Sequence, residues 1–198
     1  MLILFHKPYG VLCQFTKDQP GQRTLADFGF PKDVYPIGRL DMDSEGLLLP
    51  SDEKPLVDRL LNPRSKISKT YHARVEGIPD SSALERLSNG TLEIKGHRCL
   101  PARASVLDPQ PDYPPRDPPI RVRLHIPDTW LELVITEGKN RQVRRMTAAV
   151  GHPTLRLVRA AIGGLKLHDL ARGEWREATD GDRRALFAPS FLVDRGKG

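Results

Sequence analysis

Tyr35-Pro36-Ile37-Gly38-Arg39-Leu40-Asp41-Met42-Asp43-Ser44-Glu45-Gly46-Leu47-Leu48-Leu49 is the stretch on which the reading of this 198-residue chain turns. A short apolar run enters Gly38, a packet of charge follows, and a second glycine opens a run of leucines. Apolar runs set between glycines read as strand, polar loop, strand. The loop crowds Asp41, Asp43 and Glu45 beside Arg39, and loops held by strands are where reactive side chains tend to sit. Three readings compete for this packet. Asp41-x-Asp43-x-Glu45-Gly46 opens like an EF-hand calcium loop. Position twelve, however, is Asp52 where the closing glutamate belongs, and the flanks resemble strands, with Pro36 on the entry side. A solvated acidic turn is the plain alternative. The third is an aspartate that acts as nucleophile or acid/base, which needs an arginine or similar partner to keep it ionised.

Working outward, Leu2 to Phe5 reads as a first strand, and Lys7-Pro8-Tyr9-Gly10 as a turn. Pro fixes φ there and Gly supplies a positive φ, with no chemistry required. Beyond the loop, a helix is expected from Ser51, capped by Ser51 or Asp52, with Pro55 early in it and Asn62-Pro63 as its stop. Leu56, Val57, Leu60 and Leu61 recur at helical spacing as a buried stripe, which would pack behind the Asp41 loop. Ile67 to Gly77 alternates as a strand with Lys69, Tyr71, Ala73 and Val75 on one face and Thr70, His72 and Arg74 on the other. Asp80 to Gly90 is a short capped helix, and residues 91–108 supply two strands. Six prolines between Pro109 and Pro119 exclude helix and interior strand. Ile120 to Ile126 and Thr129 to Thr136 are expected to pair through a turn at Pro127-Asp128.

Residues 137–153 hold a second informative stretch, a helix with Asn140 as N-cap, Gly151 as stop and Pro153 beyond. Arg141, Arg144, Arg145 and Ala148 share one face; Val143, Met146 and Val150 share the other. Three arginines beside the positive end of a helix are unfavourable unless anions are close, although a solvated basic face explains the pattern too. The next strand, Thr154 to Gly164, carries Arg156 and Arg159, which reach phosphates or face water.

Composition narrows the function. Hydrophobic content of 38% and charged content of 28% describe a globular chain, and the net charge of +6 favours a polyanionic partner. Of the 31 cationic residues 21 are arginine, the side chain suited to bidentate phosphate contacts and base stacking. Cys13 and Cys99 lie far apart without metal-ligand spacing, so neither disulfide framework nor zinc site is implied. No apolar run approaches membrane-spanning length, and the N-terminus lacks the pattern of a signal peptide. A cytoplasmic protein is expected.

Gly38-Arg39-Leu40-Asp41 followed by Gly46-Leu47-Leu48-Leu49 resembles the signature of the RsuA-type rRNA pseudouridine synthases. Lys7-Pro8-x-Gly10, Lys69-Thr70-Tyr71 and Gly138-Lys139-Asn140-Arg141-Gln142-Val143-Arg144-Arg145-Met146 follow the family's other motifs in chain order. The resemblance implies an α+β fold, a mixed and mostly antiparallel sheet divided by an active-site cleft, with helices packed on it. It implies Asp41 as catalytic nucleophile, Arg144 as its ion-pair partner, and Tyr71 packed on the target base as a possible proton acceptor. Arg39, Lys139, Arg141 and Arg145 are the candidates for RNA contact. No cofactor and no metal are expected, since the isomerisation needs neither, and no phosphate-binding glycine loop or dinucleotide fingerprint is present. The implied partner is ribosomal RNA, with large-subunit 23S rRNA suggested by the branch that lacks an added N-terminal RNA-binding module; a monomer suffices. Residues 1–180 are read as one catalytic domain, or two subdomains joined by the 109–119 connection, and 181–198 as a C-terminal tail open to disorder. A non-catalytic RNA-binding protein on the same fold and a retaining glycosidase using Asp41 with Asp43 or Glu45 are the competing functions.

Overall fold

Runs of fully buried apolar residues make central strands, and alternating runs make strands with two different faces. Both kinds recur here, in a computed structural model that describes residues 1–120, 125–167 and 170–188. The chain begins with β1 (Ile3–Lys7), buried throughout, then the short parallel pair β2 (Val11–Leu12) and β3 (Arg23–Thr24). A single 3-10 turn over Leu25–Phe28 follows. Next come β4 (Tyr35–Pro36), β5 (Glu45–Leu48), β6 (Pro50–Ser51) and α1 (Lys54–Leu61). The middle of the chain supplies β7 (Lys69–Glu76), α2 (Ser81–Ser88), the hairpin β8 (Glu93–Ile94) and β9 (His97–Arg98), and β10 (Arg103–Val106). It closes with β11 (Asp128–Ile135), α3 (Gln142–Ala149), β12 (Thr154–Ile162), β13 (Leu165–Lys166), β14 (Trp175–Glu177) and α4 (Asp180–Phe187).

One eight-stranded sheet holds these together in the order β10-β11-β7-β12-β5-β1-β14, with β13 added to β12. Its pairs are antiparallel except β5 with β12, so the sheet is mixed and mostly antiparallel, as the sequence implied. The parallel pair depends on Gly46. Its φ is +107°, and a Cβ there would lie 2.4 Å from the Arg159 carbonyl oxygen, so any side chain would push β5 off β12. On one face Tyr71, Ala73, Val75, Leu131 and Leu133 pack with Val143 and Met146 of α3 and Leu87 of α2. On the other, Leu47, Trp130 and Val158 pack with Leu186 of α4.

Several boundaries differ from the sequence reading. α1 starts three residues late, with Glu53 as its N-cap, because the Ser51 hydroxyl is occupied donating to the Met1 carbonyl oxygen and accepting from the Glu53 amide. Its stripe is only partly buried, and Leu61 stays exposed, since the helix lies over the margin of the core. The N-cap of α3 is Arg141, in the left-handed region, because the Asn140 side chain instead accepts from Arg145. Asp128 is the first residue of β11, which pairs with β10 and β7; the strand expected over 120–126 falls partly outside the described residues. Finally, residues 181–187 are not tail. They continue α4, which Thr179 and Asp182 cap reciprocally and Leu186 anchors in the core. Residues 189–198 lie outside the described residues.

Candidate active site

The charged packet of the opening stretch becomes the loop between β4 and β5, and its backbone is tied at every step. The Ser44 amide donates to the Asp41 carbonyl oxygen at 3.0 Å, closing a turn. The Met42 carbonyl accepts from the Gly10 amide at 2.8 Å and from the Lys7 ammonium at 3.4 Å. The Asp43 carbonyl accepts from Arg144 Nη2 at 2.7 Å, and the Ser44 carbonyl from Lys7 Nζ at 2.7 Å. The Leu40 amide donates to the Cys13 sulfur at 3.3 Å. With donors on four consecutive carbonyl oxygens, Asp41 to Ser44, this part of the loop has few alternative conformations, so the side chains it carries are held in place.

Two carboxylates on this loop face α3. Arg141 grips Asp43 with both terminal nitrogens, at 2.9 and 2.7 Å, and its Nη1 lies 3.5 Å from Asp41 Oδ2. Arg141 adopts φ +50°, a left-handed conformation that costs energy for a residue with a side chain and that clusters at functional sites. Arg144 Nε lies 3.5 Å from Asp43 Oδ2. The ion pair expected between Arg144 and Asp41 is therefore corrected. Arg144 serves the backbone and carboxylate of Asp43, and Arg141, one helical turn earlier, supplies the guanidinium nearest Asp41. Burial opposes ionisation of Asp43, but the Arg141 hydrogen bonds and the Arg144 charge outweigh it, and its carboxyl is held below the usual range. The two side chains are similarly open to solvent, 32% for Asp41 and 28% for Asp43, but both Asp43 oxygens accept hydrogen bonds from Arg141 while Asp41 has only the 3.5 Å ion-pair contact.

Tyr71 is buried on β7, in the same apolar cluster as Leu40, the residue before Asp41. Arg39 and Lys139 are exposed. Arg145 is half-buried and bonded to Asn140, and Arg141 is committed to the loop carboxylates. Arg156 and Arg159, read as facing phosphate or water, are both buried. Arg156 makes a two-pronged pair with Glu45, at 2.7 and 2.8 Å, so Glu45 leaves the exposed loop altogether. With Asp43 and Glu45 both neutralised by guanidinium groups, the calcium cage is contradicted. Among the described residues no group of three or more His, Cys, Asp or Glu is placed to hold a metal ion, and no helix is long and apolar enough to cross a membrane.

A family model described as RNA pseudouridylate synthase matches residues 1–149. The chain belongs to the RNA pseudouridylate synthase family. It is thus an isomerase of uridine in RNA, and the resemblance drawn from Gly38 to Leu49 is borne out. Among relatives, it is 57% identical over 177 residues to ribosomal large subunit pseudouridine synthase E of Xanthomonas campestris pv. campestris, covering 89% of this chain and 94% of that one. It is 36% identical over 196 residues to ribosomal large subunit pseudouridine synthase B of Bacillus subtilis, covering 98% and 73%. A crystal structure of a pseudouridylate synthase superposes with a TM-score of 0.76 at 26% identity, over 93% of this chain and 73% of that one.

One residue that sequence reading treated as a turn former matters to this synthase site. Lys7 is fully buried, and its ammonium reaches the carbonyl oxygens of Pro8, Met42 and Ser44. The signal was a Lys beside Pro8 and Gly10, whose use shows only once the loop is folded against it. Burial pushes the Lys7 ammonium down to about 8. Below that pH it is charged in folded and unfolded chains alike and the cost of burying it is full. Between about 8 and the ordinary 10.5 only the folded chain releases its proton, so stability rises with pH across that window. Lys7→Met should therefore lose a pH-dependent increment of up to about 3 kcal/mol, read as the difference between wild-type and variant urea melts at pH 7 and pH 10. Equal pH slopes in the two proteins would refute it.

Proposed function

We propose that the chain isomerises a uridine of large-subunit 23S ribosomal RNA, with Asp41 acting at C1′ of a nucleotide turned out of its stack. The observation that carries this reading is the immobilised loop, which presents Asp41 to solvent while arginines occupy its neighbours. A carboxylate so placed can stabilise or capture the sugar cation that forms as the C1′–N1 bond breaks, as carboxylates do in glycoside cleavage. Arg141 lies 3.5 Å from Asp41 and orients it; Arg144 fixes the loop through Asp43. Tyr71 packs on the uracil and is placed to assist removal of the C5 proton. Turning the nucleotide out costs a few kcal/mol, which contacts to the RNA backbone offset. Arg39, Lys139 and Arg145 make those contacts, in a cytoplasmic enzyme that acts as a monomer. The substrate class is supported by the names of the relatives, which specify the large ribosomal subunit. The glycosidase reading loses its second carboxylate, because Asp43 and Glu45 are both bound by arginine.

The direct test is to incubate purified protein with unmodified 23S rRNA and locate pseudouridines by mass-tagging. The expected result is one dominant modified position. Salt-dependent RNA binding with no pseudouridine formed would return the protein to the non-catalytic alternative.

A further inference from the structure

The inter-strand register lays out one continuous row of residues across the sheet. Lys7 stands opposite Gly46, Gly46 opposite Arg159, Arg159 opposite Tyr71, and Tyr71 opposite Leu133. Residues paired in register share a face, so Lys7, Arg159 and Tyr71 all project to the side that carries the Asp41 loop. Gly46 adds no side chain between the first two, which lets the Arg159 backbone approach β5 closely.

Arg159 is 4% exposed. Its Nε donates to the Leu47 carbonyl oxygen at 2.7 Å, whereas Nη2 is sealed from solvent and has no partner. Among the described residues no carboxylate pairs with it. Lys69 lies two residues before Tyr71 on the same face, and its pKa is lowered first by burial and then by the Arg159 charge. The Arg159 charge also acts on the Cys13 thiol, which accepts from the Leu40 amide. A buried guanidinium without an anion or a full set of acceptors is strongly unfavourable. Two more of the buried polar atoms that lack hydrogen-bond partners, Ser44 Oγ and Arg144 Nε, belong to the same site. Arg144 Nε has the Asp43 carboxylate 3.5 Å away, whereas Arg159 Nη2 is a buried donor on a charged group with no partner among the described residues.

The reaction supplies one. Breaking the C1′–N1 bond leaves the bonding electron pair on the uracil ring, spread over N1, O2 and O4. When C5 joins C1′, the C5 proton leaves and N1 takes up a proton, so the product is an isomer and nothing else is consumed. Negative charge therefore appears on the base oxygens only between these two events. A preorganised, desolvated cation at that place stabilises the transient charge more than it stabilises the neutral uridine. We propose that the turned-out base displaces the side chains that cover Arg159, that the unpartnered Nη2 then donates to a uracil carbonyl oxygen, O2 or O4, and that the guanidinium stabilises the departing ring as an anion. The assignment rests on the reading of Asp41 as the group acting at C1′.

The experiment pairs variants of Arg159 with substrate RNAs carrying 2-thiouridine or 4-thiouridine at the target position, since sulfur is a poor acceptor. Wild-type turnover of the unmodified RNA comes first and tests the underlying reading by itself. Arg159→Met should then lower kcat by about 100-fold, with KM little changed, and Arg159→Lys, which keeps the charge, should lose less. One of the two thio substitutions should slow the wild-type enzyme by about tenfold or more beyond its effect on Arg159→Lys, the signature of a lost hydrogen bond to a charged donor. Should Arg159→Met fail to fold, Arg159→Lys carries the comparison, with thermal melts confirming its structure. Equal thio effects in wild type and Arg159→Lys for both analogues would overturn the proposal. So would a normal kcat with weaker RNA binding and a shallower salt dependence, because that pattern belongs to a phosphate contact.

Discussion

Asp41→Asn should reduce pseudouridine formation by about ten-thousand-fold or more, the scale on which removal of a reacting group or its essential partner is felt. The change keeps the shape of the side chain and removes its charge. Its effects outside chemistry should be small, because the loop is shaped by other groups. The turn is closed by the Ser44 amide, and the loop carbonyls are held by Gly10, Lys7 and Arg144. Arg141 retains its two-pronged hold on Asp43 in the variant. Thermal melts and RNA affinity should therefore match wild type, while single-turnover assays on 23S rRNA show almost no product. Substantial residual turnover would remove Asp41 from its assigned role. The same experiment on Asp43→Asn separates the two carboxylates. Asp43 is fully occupied by Arg141 and Arg144, so its loss should loosen the loop and slow the reaction without abolishing it.

The second large effect concerns stability. Glu45 and Arg156 form a buried two-pronged pair, and Arg156 also donates to the Pro114 carbonyl oxygen at 2.9 Å and lies over the rings of Tyr113 and Trp130. The pair joins the end of the Asp41 loop to β12 and to the proline-rich connection at once. Removing one partner strands the other charge in the interior, so Arg156→Met should destabilise the protein by about 3–5 kcal/mol. In a chain of this size that corresponds to a fall in Tm of roughly 6–20 °C. The double variant Glu45→Leu/Arg156→Met removes both charges and should recover much of the loss, because apolar groups of similar volume carry no desolvation cost. A double variant no more stable than the single one would show that the cost lies in packing of the proline-rich segment and not in the unpaired charge.

The same pair shows why the position of Arg156 was illegible in the sequence. On a strand, Arg156 and Arg159 look like surface residues, since arginine is seldom buried unless paired. Their burial follows from partners more than a hundred residues away, Glu45 for one and the Leu47 carbonyl for the other. The proline-rich segment was read correctly as neither helix nor strand, yet nothing local announced that Tyr113 would reach His72 at 2.7 Å or that Pro114 would accept from Arg156. The helix-capping errors have a similar origin. Ser51 and Asn140 are good local caps, but Ser51 is taken by the distant Met1 carbonyl and Asn140 by Arg145 of the helix itself.

By itself the sequence determined the period of the principal strands and helices, the glycines and prolines that bound them, and the family, because these depend on neighbours within a few residues. Only the tertiary structure decided which guanidinium faces which carboxylate, that Lys7 holds the carbonyl oxygens of Met42 and Ser44, and that Arg159 is buried with one nitrogen unpartnered. Charge partners are chosen by distance in space, and the register of β5, β7 and β12 sets those distances across separations that no local pattern records.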